Sequence, residues 1–241
     1  MDLKILLLQA RNNDDPVRDE ERQSFAKRGG IDKEQFVPHD LLDGPPSLKE
    51  IRSHDALMVG GSGEYSVAEG NLPQFQKLLD VLAEVVEIGH PTFASCFGYQ
   101  LFVKALGGEI VYDSACFEVG TYELTLTEHG CNDALLGQLP ERFYAQMGHK
   151  ERAKKQPDGV LNLASSACCK FHALRIPNKP IWATQFHPEL TGMENRKRFQ
   201  RYLKGYAAHM SEEEREETLS RFFESPATTD LIQSFLRQVF G

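Results

Sequence analysis

Short uninterrupted apolar runs, separated by stretches of helical periodicity, constrain the fold of this chain more than any other feature. Residues 5–8 and 56–59 are apolar throughout, which is typical of parallel strands covered on both faces of a sheet. Residues 73–88 carry apolar side chains at helical spacing and end before Gly89, a residue suited to the turn that closes a helix. This alternation predicts an α/β fold with a mostly parallel central sheet flanked by helices.

Other segments fit the same class. We expect a short strand at residues 35–37 that ends at Pro38, and a third strand that stops at Gly60. A strand at residues 91–95 is expected to run directly into a helix at residues 97–106. The strand–helix junction therefore falls at residue 96.

The pattern changes after this helix. Residues 109–186 are rich in β-forming residues, which predicts extra antiparallel strands, and the sequence after Glu189 is helical. We expect one domain over residues 1–192 and a helical C-terminal extension over residues 193–241 packed on it. The last helix has six apolar residues on one face, namely Leu231, Ile232, Phe235, Leu236, Val239 and Phe240. We favour the interpretation that this face covers the domain's own core over the alternative that it docks a partner protein.

Charge and hydropathy exclude several classes of protein. The 241 residues include 27 Lys and Arg against 35 Asp and Glu, a net charge of −8, whereas a nucleic-acid surface needs a basic face. No apolar run reaches the roughly 18 residues of a membrane-spanning helix, and the N-terminus lacks the apolar core of a signal peptide. We expect a cytoplasmic protein that binds neither nucleic acid nor membrane.

The cysteines do not form a recognisable framework. There are five, an odd number, with no C-x-x-C pair, so neither a disulfide scaffold nor a zinc knuckle is expected. Cys168 and Cys169 are neighbours at the start of a segment that we interpret as a strand, and we expect two buried small apolar residues rather than a redox pair. The sequence predicts no metal site and a reducing compartment.

The most specific local signal surrounds Cys96. Ala94 and Ser95 end a strand, and Phe97 and Gly98 begin a helix, which is the strand–turn–helix arrangement of a nucleophile elbow. A cysteine at a helix N-terminus lies near the positive end of the helix dipole, which favours its thiolate. By itself this pattern leaves a buried structural cysteine equally open.

A base for Cys96 is found 91 residues further on. His187 is followed by Pro188, which favours an extended conformation at the histidine. On an extended segment, His187 and Glu189 point the same way with Cα atoms about 6.6 Å apart, so the carboxylate can orient the imidazole. A thiol, a histidine and a carboxylate together favour nucleophilic catalysis over a structural histidine.

Such a site also needs donors for a developing oxyanion. The amide of Phe97 is one candidate, and the Gly-rich turn at residues 60–63 is the other, because glycines allow close approach of the backbone to a ligand. We favour this role over that of a dinucleotide-binding loop, since Ser66 stands where the last glycine of G-x-G-x-x-G would be. We expect no cofactor.

At these residues the chain resembles the class I (triad) glutamine amidotransferases, most closely stand-alone proteins similar to the glutaminase domain of GMP synthase. The resemblance covers about residues 3–190: the Gly-Gly-x-Gly turn, Cys96-x-Gly98-x-Gln100, and the highly specific Gln-Phe-His-Pro-Glu string at residues 185–189. Segments 118–122 and 147–150 also lie where related domains carry similar elements. The resemblance implies a flavodoxin-like fold.

The same resemblance implies roles for individual residues. Cys96 would be the nucleophile, His187 the general acid and base, and Glu189 the carboxylate that orients it. Gly61 and the amide of Phe97 would form the oxyanion hole. The implied substrate-binding residues are Gln100, Gly63, Gly148, His149 and Lys150. For His149, a hydrogen-bonded loop histidine stays an equal alternative.

Three departures from the family pattern bear on function. Ala94 stands where glycine is usual, and Ser62 replaces the usual proline of the oxyanion turn. After Glu189 only helical sequence follows, with no ATP-binding loop. Ammonia released at the site would therefore need a synthetase partner in trans or an acceptor not on this chain.

Three functions remain open on these grounds. The first is a glutamine amidotransferase that releases glutamate and ammonia. The second is a hydrolase of γ-glutamyl compounds with the same triad, and the third is a non-catalytic interaction or sensor protein. A different flavodoxin-like cysteine hydrolase is disfavoured, because those usually carry histidine directly after the cysteine, where this chain has Phe97.

Overall fold

The structure, a computed structural model, describes residues 2–203 and 211–241. Eleven strands are present in these ranges: β1 Ile5–Ala10, β2 Phe36–Asp40, β3 Ala56–Ser62, β4 Thr92–Ser95, β5 Glu109–Tyr112, β6 Glu118–Leu126, β7 Arg142–His149, β8 Glu151–Lys155, β9 Leu161–Ser165, β10 Ala173–Arg175 and β11 Ile181–Thr184. The helices of the described residues are α1 Val17–Gly29, α2 Leu48–Arg52, α3 Phe75–Ile88, α4 Phe97–Ala105, α5 Glu128–Cys131, α6 Gly192–Arg201, α7 Glu212–Ser220 and α8 Leu231–Phe240.

Nine strands form one sheet in the order β2-β1-β3-β4-β11-β10-β9-β6-β7. The run from β2 to β11 is parallel, and the strands beyond it are antiparallel. β5 and β8 pair separately as an antiparallel ribbon. This arrangement confirms the predicted α/β class with its extra antiparallel strands, and the β2-β1-β3-β4 order is that of flavodoxin-like sheets.

Both faces of the parallel region are covered, as the continuous apolarity of β1 requires. Leu6 and Leu8 face a cluster that includes the buried side of α3. Ile5 and Leu7 face the opposite cluster, which includes Phe25 of α1. Because successive strand residues point to opposite faces, an apolar residue is needed at every position of a strand covered on both sides.

The last helix packs on this second cluster. Leu231, Ile232, Phe235 and Leu236 of α8 are buried there, and the ring of Phe235 lies 5.6 Å from that of Phe93 in β4. α7 begins with a capping box between Ser211 and Glu214. The apolar face of α8 is therefore covered by α1 and the sheet.

Strand boundaries differ from the sequence prediction at two positions. β2 continues through Pro38 to Asp40, which is possible because β2 is the edge strand of the sheet and pairs on one side only. β3 continues through Gly60 and Gly61 to Ser62, so the glycines that were expected to stop the strand lie within it. Helix α1 was not predicted, since its inward face includes the polar residues Glu21 and Ser24, which disguise its amphipathic pattern.

The prediction that Cys168 and Cys169 are buried strand residues is confirmed only for the burial of Cys169. Both lie in the segment between β9 and β10 rather than on a strand, and Cys168 is exposed while Cys169 is buried. Cys168 forms a disulfide with Cys116, 52 residues earlier. Spacing along the chain could not indicate this pair, because the fold brings two distant loops together beside the start of β6.

No helix within the described ranges combines the length and apolarity needed to cross a membrane.

Candidate active site

Cys96 lies at a sharp turn between β4 and α4. Its backbone has φ 51° and ψ −101°, a conformation that is costly for a residue with a side chain and is typical of functional turns. The amide of Cys96 donates to Thr184 O at 2.8 Å. At Gly98, a Cβ atom would lie 2.7 Å from the carbonyl oxygen of Val59, so α4 can pack this closely on β3 only with glycine there.

His187 reaches the cysteine because β11 is the hydrogen-bonded neighbour of β4, with Thr184 paired to Ser95. The chain leaves β11 at Thr184, and the amide of His187 donates to Gln146 O at 2.9 Å. Pro188 and Glu189 then form a turn rather than the expected extended segment, with the amide of Leu190 donating to His187 O at 3.2 Å. The imidazole lies within hydrogen-bonding reach of the Cys96 sulfur. Cys96 and His187 are 91 residues apart in sequence, and they lie close together because β4 and β11 are adjacent strands.

Glu189 holds the other side of the imidazole. Its Oε1 lies 2.7 Å from His187 Nδ1, and both side chains are buried. Because Nδ1 faces a carboxylate, it carries the proton, and Nε2 is left to exchange a proton at the site. The structure therefore brings Cys96, His187 and Glu189 together in the order that nucleophilic catalysis needs.

The electrostatics favour a protonated His187. Burial acts to lower the pKa of the imidazole, but the charges of Glu189 and of Cys96 outweigh it and raise that pKa well above its usual value. Burial likewise acts to raise the pKa of Glu189, yet the imidazolium and, further away, Arg198 hold it below its usual range. An imidazolium beside a sulfur stabilises the thiolate form of a cysteine.

Arg198 is a functional residue that sequence reasoning did not find. It lies on α6, and its Nη1 is 3.7 Å from Oε1 of Glu189. Among the described residues this guanidinium is, after His187, the second cationic group within 4 Å of the carboxylate, and Glu189 Oε2 is buried without a hydrogen-bond partner. No local motif marks Arg198, because its position depends on how α6 packs beside the triad.

Gly61 is engaged differently from its predicted role. Its amide donates to Oε1 of Glu21 at 3.1 Å, so in this conformation it is not available to an oxyanion. Glu21 is completely buried and pairs with Arg11 at 2.8 Å, while Gln9 Nε2 donates to its second oxygen at 3.0 Å. The amide of Phe97, as the first N–H of α4, has no acceptor within the helix and keeps its candidate role.

A cavity of about 490 Å³ opens over Cys96. Its wall includes all the residues predicted to bind substrate, namely Gln100, Gly63, Gly148, His149 and Lys150. Burial lowers the pKa of Lys150. Tyr202, directly after α6, closes one side and lies so near that a Cβ atom on Gly63 would be 2.8 Å from its ring. The C-terminal extension thus contributes to the mouth of the cavity.

Two of these wall residues, Gln100 and His149, direct polar atoms toward other protein groups rather than toward the cavity. Gln100 Nε2 donates to Glu151 O at 3.0 Å and to Gln185 Oε1 at 3.1 Å. His149 Nδ1 lies 3.0 Å from Glu151 O, and its Nε2 lies 3.0 Å from Glu118. Neither ring nitrogen of His149 faces the cavity, so the alternative of a hydrogen-bonded wall histidine describes it better than direct substrate contact. The side chains of Glu118, His149 and His172 lie close together, and all three are of types that bind metal ions.

Comparison with known sequences agrees with this arrangement. The profile of a family described as glutamine amidotransferase class-I matches residues 40–203. The chain is 30% identical over 154 residues to one subunit of the glutamine-hydrolysing GMP synthase from Archaeoglobus fulgidus, covering 64% of this chain and 76% of that protein. The corresponding protein from Methanothermobacter thermautotrophicus is 31% identical over 156 residues, again with 64% and 76% covered.

Solved structures show the same fold. A glutamine amidotransferase from Thermotoga maritima superimposes over 100% of both chains with a TM-score of 0.73 and 16% identity. Another from Methylobacillus flagellatus covers 98% of this chain and 95% of its own, with a TM-score of 0.70 and 20% identity.

Proposed function

Because the chain belongs to the class-I glutamine amidotransferase family, we propose that it hydrolyses the side-chain amide of glutamine through a γ-glutamyl thioester on Cys96. One observation carries the proposal: Cys96 stands at a strained turn within reach of His187, whose Nδ1 is held by Glu189 at 2.7 Å. A buried nucleophile, base and carboxylate at one cavity are a set of groups that performs acyl transfer.

The first half of the reaction forms the thioester. The thiolate of Cys96 attacks the γ-carbonyl carbon of glutamine, and the carbonyl electron pair moves to the oxygen, where the amide of Phe97 donates to it. His187 passes its proton to the amide nitrogen, the C–N bond breaks, and ammonia leaves. A backbone donor at such an oxyanion contributes about 3–4 kcal/mol. Gly61 can supply a second donor only when its amide leaves the Glu21 carboxylate.

The second half restores the enzyme. His187, now neutral, takes a proton from water, and the hydroxide attacks the thioester carbon. The C–S bond breaks, glutamate leaves, and the thiolate is again paired with the imidazolium. Glu189 keeps its charge throughout and orients the ring.

Lys150 and Gln100 are proposed to define the glutamine pocket. Lys150 is a partly buried cation in the cavity wall and suits the α-carboxylate of an amino acid. Gln100 is committed to Glu151 and Gln185, and Gln185 Nε2 lies 3.7 Å from the Cys96 sulfur. Gln100 is thus proposed to position the wall around the nucleophile.

The ammonia is proposed to pass to a synthetase partner in trans. Two of the relatives are named as separate subunits of glutamine-hydrolysing GMP synthases. A third relative, the longer glutamine-hydrolysing GMP synthase from Agathobacter rectalis, is 30% identical over 148 residues, which is 61% of this chain and 26% of that protein. A partner that accepts ammonia would show itself as a rise in kcat for glutamine when it is added.

A second candidate is hydrolysis of larger γ-glutamyl compounds by the same triad. The cavity of about 490 Å³ lies in the range of pockets that enclose drug-sized ligands, which is more room than one free amino acid fills. Tyr65, Tyr112 and Arg201 also line this cavity. These side chains would contact whatever follows the γ-glutamyl group.

The test compares two single variants of the full chain. Cys96→Ala is expected to abolish glutamate and ammonia release and to prevent labelling by a glutamine analogue that alkylates cysteine. Cys131→Ala removes the exposed free thiol and is expected to leave both unchanged. Faster release of amines from γ-glutamyl peptides than of ammonia from glutamine would favour the second candidate. If wild type turns over neither substrate and Cys96 stays unlabelled, the proposal fails.

A further inference from the structure

Three buried side chains outside the triad converge at the junction of β6, β7 and the segment before β10. Glu118 is the first residue of β6, His149 is the last of β7, and the two are register partners in the antiparallel ladder. His172 precedes β10. All three are at most 3% exposed, and their ligand atoms lie within 4.8 Å of one another.

The distances between the carboxylate of Glu118 and the two imidazoles are short. Oε2 of Glu118 lies 3.0 Å from His149 Nε2 and 2.9 Å from His172 Nε2. Glu118 Oε2 and His149 Nε2 are buried and form no well-aligned hydrogen bond, whereas His172 Nε2 lies 3.1 Å from Ser166 Oγ. An ion bound between these three side chains would hold their ligand atoms at such short distances.

The tautomer of His149 agrees with that interpretation. Its Nδ1 lies 3.0 Å from the carbonyl oxygen of Glu151, which can only accept, so the proton of a neutral ring is on Nδ1. The lone pair is then on Nε2, the atom that faces Glu118. A metal-bound histidine commonly donates its other N–H to a backbone carbonyl in this way.

We propose that Glu118, His149 and His172 form a binding site for a divalent transition-metal ion of the zinc type. Two imidazoles and one carboxylate are a recurring ligand set for zinc. Ligands bonded at about 2.1 Å to one ion stand roughly 3.0–3.4 Å apart at angles between 90° and 109°. The distances of 2.9 and 3.0 Å lie close to the lower end of that range.

The position of the proposed site determines how the ion would enter and which segments of the protein it would connect. Glu118 also lines an open surface cleft of about 530 Å³, together with Ser166 and Cys168, and this cleft provides an entry path for the ion. Ser166 Oγ lies 3.1 Å from His172 Nε2. On the other side, His149 holds the Glu151 carbonyl to which Gln100 donates. The ion would connect β6, β7 and the segment before β10 behind the wall of the catalytic cavity without touching the triad.

The test measures metal binding rather than activity. Purified full-length protein is titrated with Zn²⁺ against a competing chelator, and its metal content is measured after dialysis. One zinc per chain is expected for wild type, with Co²⁺ giving visible absorption bands from the same site. His172→Gln is expected to weaken zinc binding by more than about 100-fold, since loss of a direct ligand should exceed the 10–100-fold effect of losing an outer partner.

A matched control separates this site from other buried histidines and from thiols. His54 is also buried with an unpartnered Nε2, and His54→Gln is expected to keep full zinc binding. If His172→Gln does not fold, as judged by circular dichroism, Glu118→Gln decides the question in the same assay. The proposal is overturned if wild type and the folded variant bind zinc alike, or if zinc is lost instead in Cys168→Ser.

Discussion

The buried pair of Arg11 and Glu21 gives the sharpest stability prediction. Its atoms lie 2.8 Å apart, with side chains 1% and 0% exposed, so their attraction is about 6 kcal/mol at an effective dielectric constant of about 20. Glu21→Gln keeps the shape of the side chain and removes its charge. Breaking a buried pair typically costs 3–5 kcal/mol. Because Arg11 keeps Asp15 at 3.5 Å, we expect the lower value, about 3 kcal/mol.

The assay is urea unfolding, monitored by the single tryptophan, Trp182. For a domain of this size a slope of about 3 kcal/mol per molar urea turns the expected loss into a midpoint lower by about 1 M. Glu20→Gln is the control, since Glu20 is the preceding residue of the same helix but pairs with Lys197 and Arg201 at the surface. Surface pairs contribute less than about 1 kcal/mol. Equal midpoints for Glu21→Gln and Glu20→Gln would refute the reasoning.

Three further outcomes are expected. Glu189→Gln should lower kcat for glutamine by about 10³- to 10⁴-fold, because the wrong imidazole tautomer is then favoured, while circular dichroism stays unchanged; a drop below tenfold would contradict the assigned role. Gly98→Ala should lower the free energy of unfolding by about 1–3 kcal/mol or more, measured with urea, because the new methyl would stand 2.7 Å from Val59 O. The raised pKa of His187 adds stability that is fully present below the unfolded value of about 6.5 and is lost as pH rises through the folded value. The stability difference between wild type and His187→Gln should therefore shrink from pH 6 to pH 9, and a difference that grows would show the opposite shift.

Much of the fold could be predicted because its signals are local. The apolar runs of β1 and β3 are continuous since two layers of helices cover the sheet, and the strand–turn–helix around Cys96 needs small neighbours such as Gly98 for steric reasons. In both cases a few adjacent residues determine the conformation. The contact between His187 and Glu189 was predicted on an extended segment, but Pro188 and Glu189 lie in a turn in which the amide of Leu190 donates to His187 O at 3.2 Å.

The remaining features depend on tertiary packing. Helix α1 was not predicted because Glu21 occupies its buried face. A carboxylate is tolerated there only because it pairs with Arg11 and accepts a hydrogen bond from the Gly61 amide. Arg198 could not be found from sequence, since its role depends on the packing of α6 against Glu189. The same holds for the pairing of Cys116 with Cys168.

The adjacency of β4 and β11 determines how this protein would lose its catalytic geometry. The ladder between them holds the two segments that carry Cys96 and His187 at the middle of a nine-stranded sheet. Fraying of the termini or of surface loops leaves that spacing intact, because separating the two strands means opening the most protected part of the molecule. Inactivation by denaturant should therefore coincide with cooperative global unfolding, and no partly unfolded intermediate should be needed to explain it.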